Sequence, residues 1–180
     1  MSSKFKQNYF ELFSLPIQFP LDKQLLAHNF RELQRQYHPD RFANSSDQER
    51  RIAIQTTGYI NEANETLKSA RLRALYLLEL QGVDFELCET THDMNFLMDQ
   101  METREALEEA AQANDPLDQV DKISQRIKQN KQHLEDDFQH NLEAGNLVEA
   151  KEAVLKMRFY ERLDDEAKHL QEKLEDEMFA

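Results

Sequence analysis

The chain has 180 residues, 39% hydrophobic and 32% charged, with 3 Gly, 4 Pro and a single cysteine, Cys88. This balance favours long solvated helices over strands and tight turns, and one cysteine excludes an internal disulfide or a multi-cysteine metal or iron–sulfur ligand set. The net charge of −13 is unevenly placed: residues 1–82 carry 11 Lys and Arg against 9 Asp and Glu (+2), and residues 83–180 carry 11 against 26 (−15). Such asymmetry predicts two modules with different partners. The acidic half argues against nucleic acid, whose binding needs positive charge to displace counterions. No stretch approaches the ~18 apolar residues of a membrane span, and the start, MSSKFKQNYFELF, has no apolar run long enough for a signal peptide. The expected location is the cytoplasm, with no membrane partner.

The stretch NYFELFSLPIQFP, residues 8–20, predicts one short aromatic-rich helix stopped by Pro16. Asp22 is a candidate N-cap for the next helix. There Leu26, Phe30, Leu33 and Tyr37 recur at steps of 4, 3 and 4, a buried face, while Gln24, His28, Arg31 and Arg35 form the opposite, partly basic face. His38, Pro39 and Asp40 follow. Proline has no N–H and a fixed φ, so the helix ends near Tyr37, and His38 is pushed out of the α region. The expected result is a stiff exposed corner carrying an imidazole and a carboxylate. Residues 41–46 read as a loop, and Ser46 or Asp47 can cap the following helix. Its face is set by Ile52, Thr56, Tyr59, Ile60, Ala63 and Leu67, which makes an αα-hairpin with the helix before. A further helix carries Ala70, Ala74, Leu75, Leu77 and Leu78, and Gly82 suits its C′ position.

Residues 83–92 read as a junction. Beyond it, FLMDQMETREALEEAAQA is a strong helix former. Asn114-Asp115-Pro116 ends that helix and opens another, with Val120, Ile123, Ile127, Leu134 and Phe138 as its stripe. Gly145-Asn146 breaks it. The last helix starts near Leu147 and carries Val154, Met157, Leu163, Ala167, Leu170, Leu174 and Met178 on one side. Three long amphipathic helices with short links predict an antiparallel bundle.

No catalytic set presents itself. The six histidines are scattered, none forms HExxH, and there is no glycine-rich phosphate loop. Cys88 has no basic neighbours in sequence to lower its pKa. The chain is therefore read as a non-enzyme with no cofactor and no metal. Two constellations remain. The first is the His38-Pro39-Asp40 corner with Arg31, Arg35 and Arg41 around it. The second is the first helix of the acidic half, where Leu97, Met98, Met101, Glu102, Glu105 and Glu109 fall mostly on one side. Phe96, Leu107 and Ala110 can serve the core in their place, and Thr103 and Ala106 have no role in the patch. Methionine is adaptable at binding surfaces. On pattern alone, the apolar members can equally pack inside the bundle, and the corner can be a plain helical turn.

The segments YFELFSLP, FRELQRQYHPDRF, INEANETLKSARLRALYLL and FLMDQMETREALEE together resemble the HscB family, J-domain co-chaperones of iron–sulfur cluster biogenesis, across essentially the whole chain. The resemblance implies an all-α fold: an N-terminal J-domain, a helical hairpin with an HPD loop (residues 1–82), then the junction (83–92) and an acidic antiparallel three-helix bundle (93–180). It implies that the corner and the basic face, Arg31, Arg35, His38, Pro39, Asp40 and Arg41, dock on an HscA-type ATPase chaperone and stimulate its ATP hydrolysis. It also implies that Leu97, Met98, Met101, Glu102, Glu105, Glu109 and Phe159 contact the scaffold protein IscU. Phe159 lies at the edge of the stripe set by Met157, Leu163, Leu170 and Leu174. Gln24, Gln34 and Gln36 make the basic face sparser than in many J-domains, which implies a narrower docking surface. The alternatives are a J-protein serving a general DnaK-type chaperone with other clients, and a helical interaction scaffold unrelated to chaperones.

Overall fold

The computed structural model describes residues 7–42, 45–86 and 89–179; Cys88 and two residues of the 41–46 loop lie outside them. Among the described residues there are seven α-helices, one 3-10 turn and no strand. The chain divides at Gly82/Val83 into two compact units.

In the first unit, α1 (Tyr9–Leu12) is a single turn closed by a capping box between Asn8 and Glu11. It ends well before Pro16, so proline is not its stop. Ser14 takes a left-handed φ of 53°. The Leu15 N–H then bonds the Phe10 carbonyl, and the Ser14 N–H bonds that of Glu11. This is a Schellman stop, with buried Phe10 and Leu15 supplying its apolar contact. α2 (Lys23–Tyr37) starts at Asp22, whose Oδ1 accepts from the Gln24 and Leu25 N–H groups at 2.9 and 3.0 Å. α3 (Asp47–Lys68) starts at Ser46 in a second capping box with Glu49. α4 (Ala70–Leu80) follows after Ser69, and Gly82 takes the predicted C′ position at φ 79°.

The core of this unit is Phe10, Phe13, Leu15, Phe19, Leu26, Ala53, Ile60, Ala63, Leu67, Ala74, Leu77 and Leu78. Each large member stabilises by about 1.5–3 kcal/mol through burial alone. Ile52 is exposed and Ala53 takes its place, a one-residue rotation of the predicted stripe about the α3 axis. Arg73 is buried, donating to the Phe19 carbonyl at 2.8 Å and the Leu67 carbonyl at 2.6 Å, with its guanidinium over the Phe19 ring. Tyr9 stacks on Tyr76 and receives Tyr59 edge-on.

In the second unit, α6 (Pro116–Glu143) and α7 (Leu147–Phe179) form the long antiparallel pair, and α5 (Met94–Ala110) lies along both. Asp115 caps α6 with Pro116 at its first position, and a Schellman stop at Gly145 closes it. The core joins Leu107, Ile127, Tyr160, Leu163 and Ala167, with Phe96, Ile123, Leu134 and Leu170 packed against it. Met178, placed on the core stripe by periodicity, is exposed: it lies at the far end of the 33-residue α7, which is longer than the 28-residue α6. Residues before α5 lie on α7. Lys151 donates to the Asp84 carbonyl at 2.7 Å, pairs with Glu89 at 2.8 Å and sits over the Phe85 ring.

Candidate functional site

The corner is built from the end of α2. His38 leaves the helix at φ −57°, ψ 129°, the extended conformation that a following proline imposes. Pro39–Phe42 then form a 3-10 turn, so Arg41 and Phe42 are ordered structure where the sequence reads as loop. The Asp40 N–H donates to His38 Nδ1 at 3.3 Å and the Arg41 N–H donates to the His38 carbonyl at 3.0 Å. The same Nδ1 stands 3.5 Å from Asp40 Oδ2.

Two side chains from beyond the tripeptide close the end of α2. The Arg41 guanidinium donates to the Arg35 carbonyl at 3.1 Å, and the Thr57 hydroxyl of α3 donates to the Tyr37 carbonyl at 2.9 Å. These satisfy two of the four carbonyls a helix C-terminus leaves open. Sequence reasoning missed Thr57, because its partner lies 20 residues away, and it read Arg41 only as a steering charge. The Asp40 side chain is 90% exposed. Arg31 and Arg35 are exposed on α2, and Arg35 pairs with Glu32 at 2.7 Å.

The second site is on α5. Met98 and Met101 are 56% and 64% exposed, so they are not part of the bundle core. Glu102, Glu105 and Glu109 are exposed on the same helix, and Leu97 is half-buried. Leu97, Met101 and Phe159 come together in one groove of about 290 Å³ between α5 and α7, completed by Gln100, Arg104, Arg162 and Leu163. Glu105 and Glu109 line a separate acidic depression with Glu108 and Gln112, while Met98 and Glu102 stand outside both. Phe159 is held edge-on by Phe96 at 5.6 Å between ring centroids and 87° between planes, and Phe96 meets Tyr160 in the same way. Gln100 is buried, its carboxamide near the Tyr160 hydroxyl but without a well-formed hydrogen bond.

Ionic contacts fasten α5 over the groove. Asp93 caps α5, accepting from the Phe96 N–H at 3.1 Å, and its other oxygen takes Lys156 Nζ at 2.8 Å. These contacts, Lys156 first, hold the Asp93 carboxyl below the usual carboxylate range. The same ammonium sits over the Phe96 ring. Arg104 grips both Glu166 oxygens at 2.8 and 3.0 Å, which favours its charged form further. Asp99 joins Arg126 of α6 and the Tyr160 hydroxyl of α7, and burial, then the Asp99 charge, pushes that phenol upward. Sequence reading found Leu97, Met101 and Phe159 but missed Gln100, Arg104 and Arg162. Helical phase places Arg104 and Gln100 off the acidic stripe, and Arg162 becomes visible only as the i+3 neighbour of Phe159.

Among the described residues, no group of three or more His, Cys, Asp or Glu is placed to hold a metal ion, and no helix is long and apolar enough to cross a membrane.

The comparisons with known proteins agree with this layout. The family described as "HSCB C-terminal oligomerisation domain" matches residues 92–168. The "Co-chaperone protein HscB homolog" of Aliivibrio fischeri is 42% identical, covering 93% of this chain and 98% of that protein, and that of Vibrio cholerae is 39% identical over the same shares. Of solved structures, "Chaperone HscB from Vibrio cholerae" matches with a TM-score of 0.87 and 38% identity, covering 93% of this chain and 99% of that one. Human co-chaperone protein HscB matches with a TM-score of 0.82 and 29% identity, covering 93% and 84%. With an all-α fold, an HPD corner and near-complete coverage by relatives about 40% identical, the chain belongs to the HscB family of co-chaperones.

Proposed function

We propose that this co-chaperone serves iron–sulfur protein maturation, binding an IscU-type scaffold through the α5 face and delivering it to an HscA-type chaperone. Residues 1–82 act as the J-domain, 83–92 as the junction and 93–180 as the scaffold-binding bundle, in the cytoplasm. The corner stimulates ATP hydrolysis by the chaperone, and the chemistry stays in that partner. Pro39 holds the corner in shape before binding, which lowers the ordering cost. Asp40 accepts charge-assisted hydrogen bonds from a partner arginine. Arg31 and Arg35 steer toward an acidic surface. Leu97, Met98, Met101 and Phe159 give the scaffold an apolar contact, framed by Glu102, Glu105 and Glu109.

The observation that carries this reading is the pairing, in one chain, of a braced corner with an exposed Asp40 and an apolar groove beside exposed methionines on an acidic helix. An ATPase assay with HscA, with and without IscU, tests it. Asp40→Ala abolishes stimulation while leaving scaffold affinity intact. Leu97→Ala with Met101→Ala weakens IscU binding in a calorimetric titration by about tenfold or more, as loss of two central apolar contacts requires, and spares scaffold-independent stimulation. Stimulation by Asp40→Ala at the wild-type level removes the corner from the mechanism. Parallel titration of a general DnaK-type chaperone shows whether HscA is the preferred partner.

A further inference from the structure

The groove between α5 and α7 has a charged wall as well as an apolar one. Arg162 lines it together with Leu97, Met101 and Phe159. The other cations at the α5 contacts are engaged: Arg104 with Glu166, Arg126 with Asp99 and Lys156 with Asp93. Among the described residues Arg162 makes no ion pair, although its unit carries a charge of −15. The reason is visible in the helix register. Glu166 lies four residues beyond Arg162, at a spacing where opposite charges meet on a helix surface. Both Glu166 oxygens are instead taken by Arg104 from α5. The strap that fastens α5 therefore leaves a free guanidinium beside Phe159.

We propose that Arg162 is a charge-selecting contact of this groove, pairing with a carboxylate that the scaffold presents next to the apolar side chain filling it. The proposal rests on the scaffold-binding reading above and deepens it. Glu102, Glu105 and Glu109 are exposed on α5 outside the groove lining, Arg104 on the α5 wall is neutralised by Glu166, and Arg162 is, among the described residues, the charge left unpaired on the α7 wall, so a partner carboxylate is drawn to the α7 side. The partner segment carries an apolar anchor flanked by an acidic residue on the α7 side and basic residues on the α5 side. A guanidinium at the edge of an apolar contact gives a fork suited to a carboxylate, and charges at such positions act mainly on association rate and salt dependence.

The test is association kinetics of the full chain with an IscU-type scaffold at low and high salt. Arg162→Glu slows association and weakens binding by about tenfold at low salt, and the deficit shrinks at high salt as screening removes the repulsion. Arg162→Lys retains most of the affinity. Arg158→Glu is the control: it makes the same charge change one turn earlier on α7, outside the groove lining and without an ion pair, and it changes affinity less than about twofold. Affinity of Arg162→Glu within about twofold of wild type, or equal weakening by both reversals, overturns the proposal. Phe159→Ala separates docking at the groove from the Arg162 contact. If it also binds normally, scaffold docking at this groove fails; if it weakens binding while Arg162→Glu does not, only the Arg162 contact fails. Thermal melts of each variant report folding, and exposed Arg162 leaves them unchanged.

Discussion

The HPD corner and the α5 groove, the two proposed recognition sites, are held by opposite means. The corner is braced by hydrogen bonds to backbone: His38 Nδ1, the Arg41 guanidinium and the Thr57 hydroxyl each engage a main-chain group. The Asp40 carboxylate meets the same His38 Nδ1 at 3.5 Å and stays 90% exposed. The groove is braced by side chains acting on side chains. Lys156, Arg126 and Arg104 fasten α5 through partly exposed ion pairs, and Phe96 fixes the Phe159 ring from below. Backbone braces survive salt and tolerate changes in surface chemistry. Partly exposed ion pairs contribute only about 0–1 kcal/mol each and are screened. The contrast gives a fixed geometry to the proposed chaperone contact and an adjustable one to the proposed scaffold contact.

The largest break in this contrast comes from Phe96→Ala. It removes the ring beneath Phe159 and part of the core packing, at about 2–3 kcal/mol for a half-buried aromatic. A lower melting temperature and weaker scaffold binding are expected together, with ATPase stimulation by the corner intact. Thr57→Val is the matching change at the corner. It leaves the Tyr37 carbonyl without its partner, at about 1 kcal/mol, and faster amide exchange at Asp40 and Arg41 is the measurement. Lys156→Met is smaller, about 0.5 kcal/mol. It lowers scaffold affinity about twofold, which is what that energy converts to, and Lys156→Arg restores it. The loss disappears in a Phe159→Ala background if Lys156 acts through the Phe96–Phe159 stack.

A pH experiment compares the two units as a whole. Burial is the main cause that raises the phenols of Tyr9, Tyr59 and Tyr76, all in the first unit. Folding thus favours their neutral form, so the stability they contribute is complete below their ordinary value of 10.0 and is lost as pH rises above it. Alkaline melts followed by tyrosinate absorbance are expected to loosen the first unit, where three such phenols cluster, ahead of the second, where Tyr160 stands alone among the shifted phenols.

Much of the fold was legible because its signals are local. Asp22, Ser46, Asp115, Gly82 and Gly145 act at the helix ends where their chemistry places them. The misreadings have local causes too. Ser14 adopts a left-handed φ without being glycine, which hid the true stop of α1 behind Pro16. A 22-residue helix lets the apolar stripe drift, which moved burial from Ile52 to Ala53. At the sites, the HPD tripeptide carries its geometry within itself. The groove does not: Arg104 and Glu166 are 62 residues apart, and their pairing decides what Arg162 is free to do.

The bond from Arg41 to the Arg35 carbonyl has one more consequence. The aligned peptide dipoles of α2 concentrate a partial negative charge, about half an elementary charge, at its C-terminal end. That end lies at the proposed docking corner, where it would oppose an approaching acidic surface. Arg41 places its guanidinium on the Arg35 carbonyl of that end and offsets part of the field. Arg31 and Arg35, the latter shared with Glu32, then set the potential of the helix face, and Asp40 is the most exposed carboxylate at the corner itself.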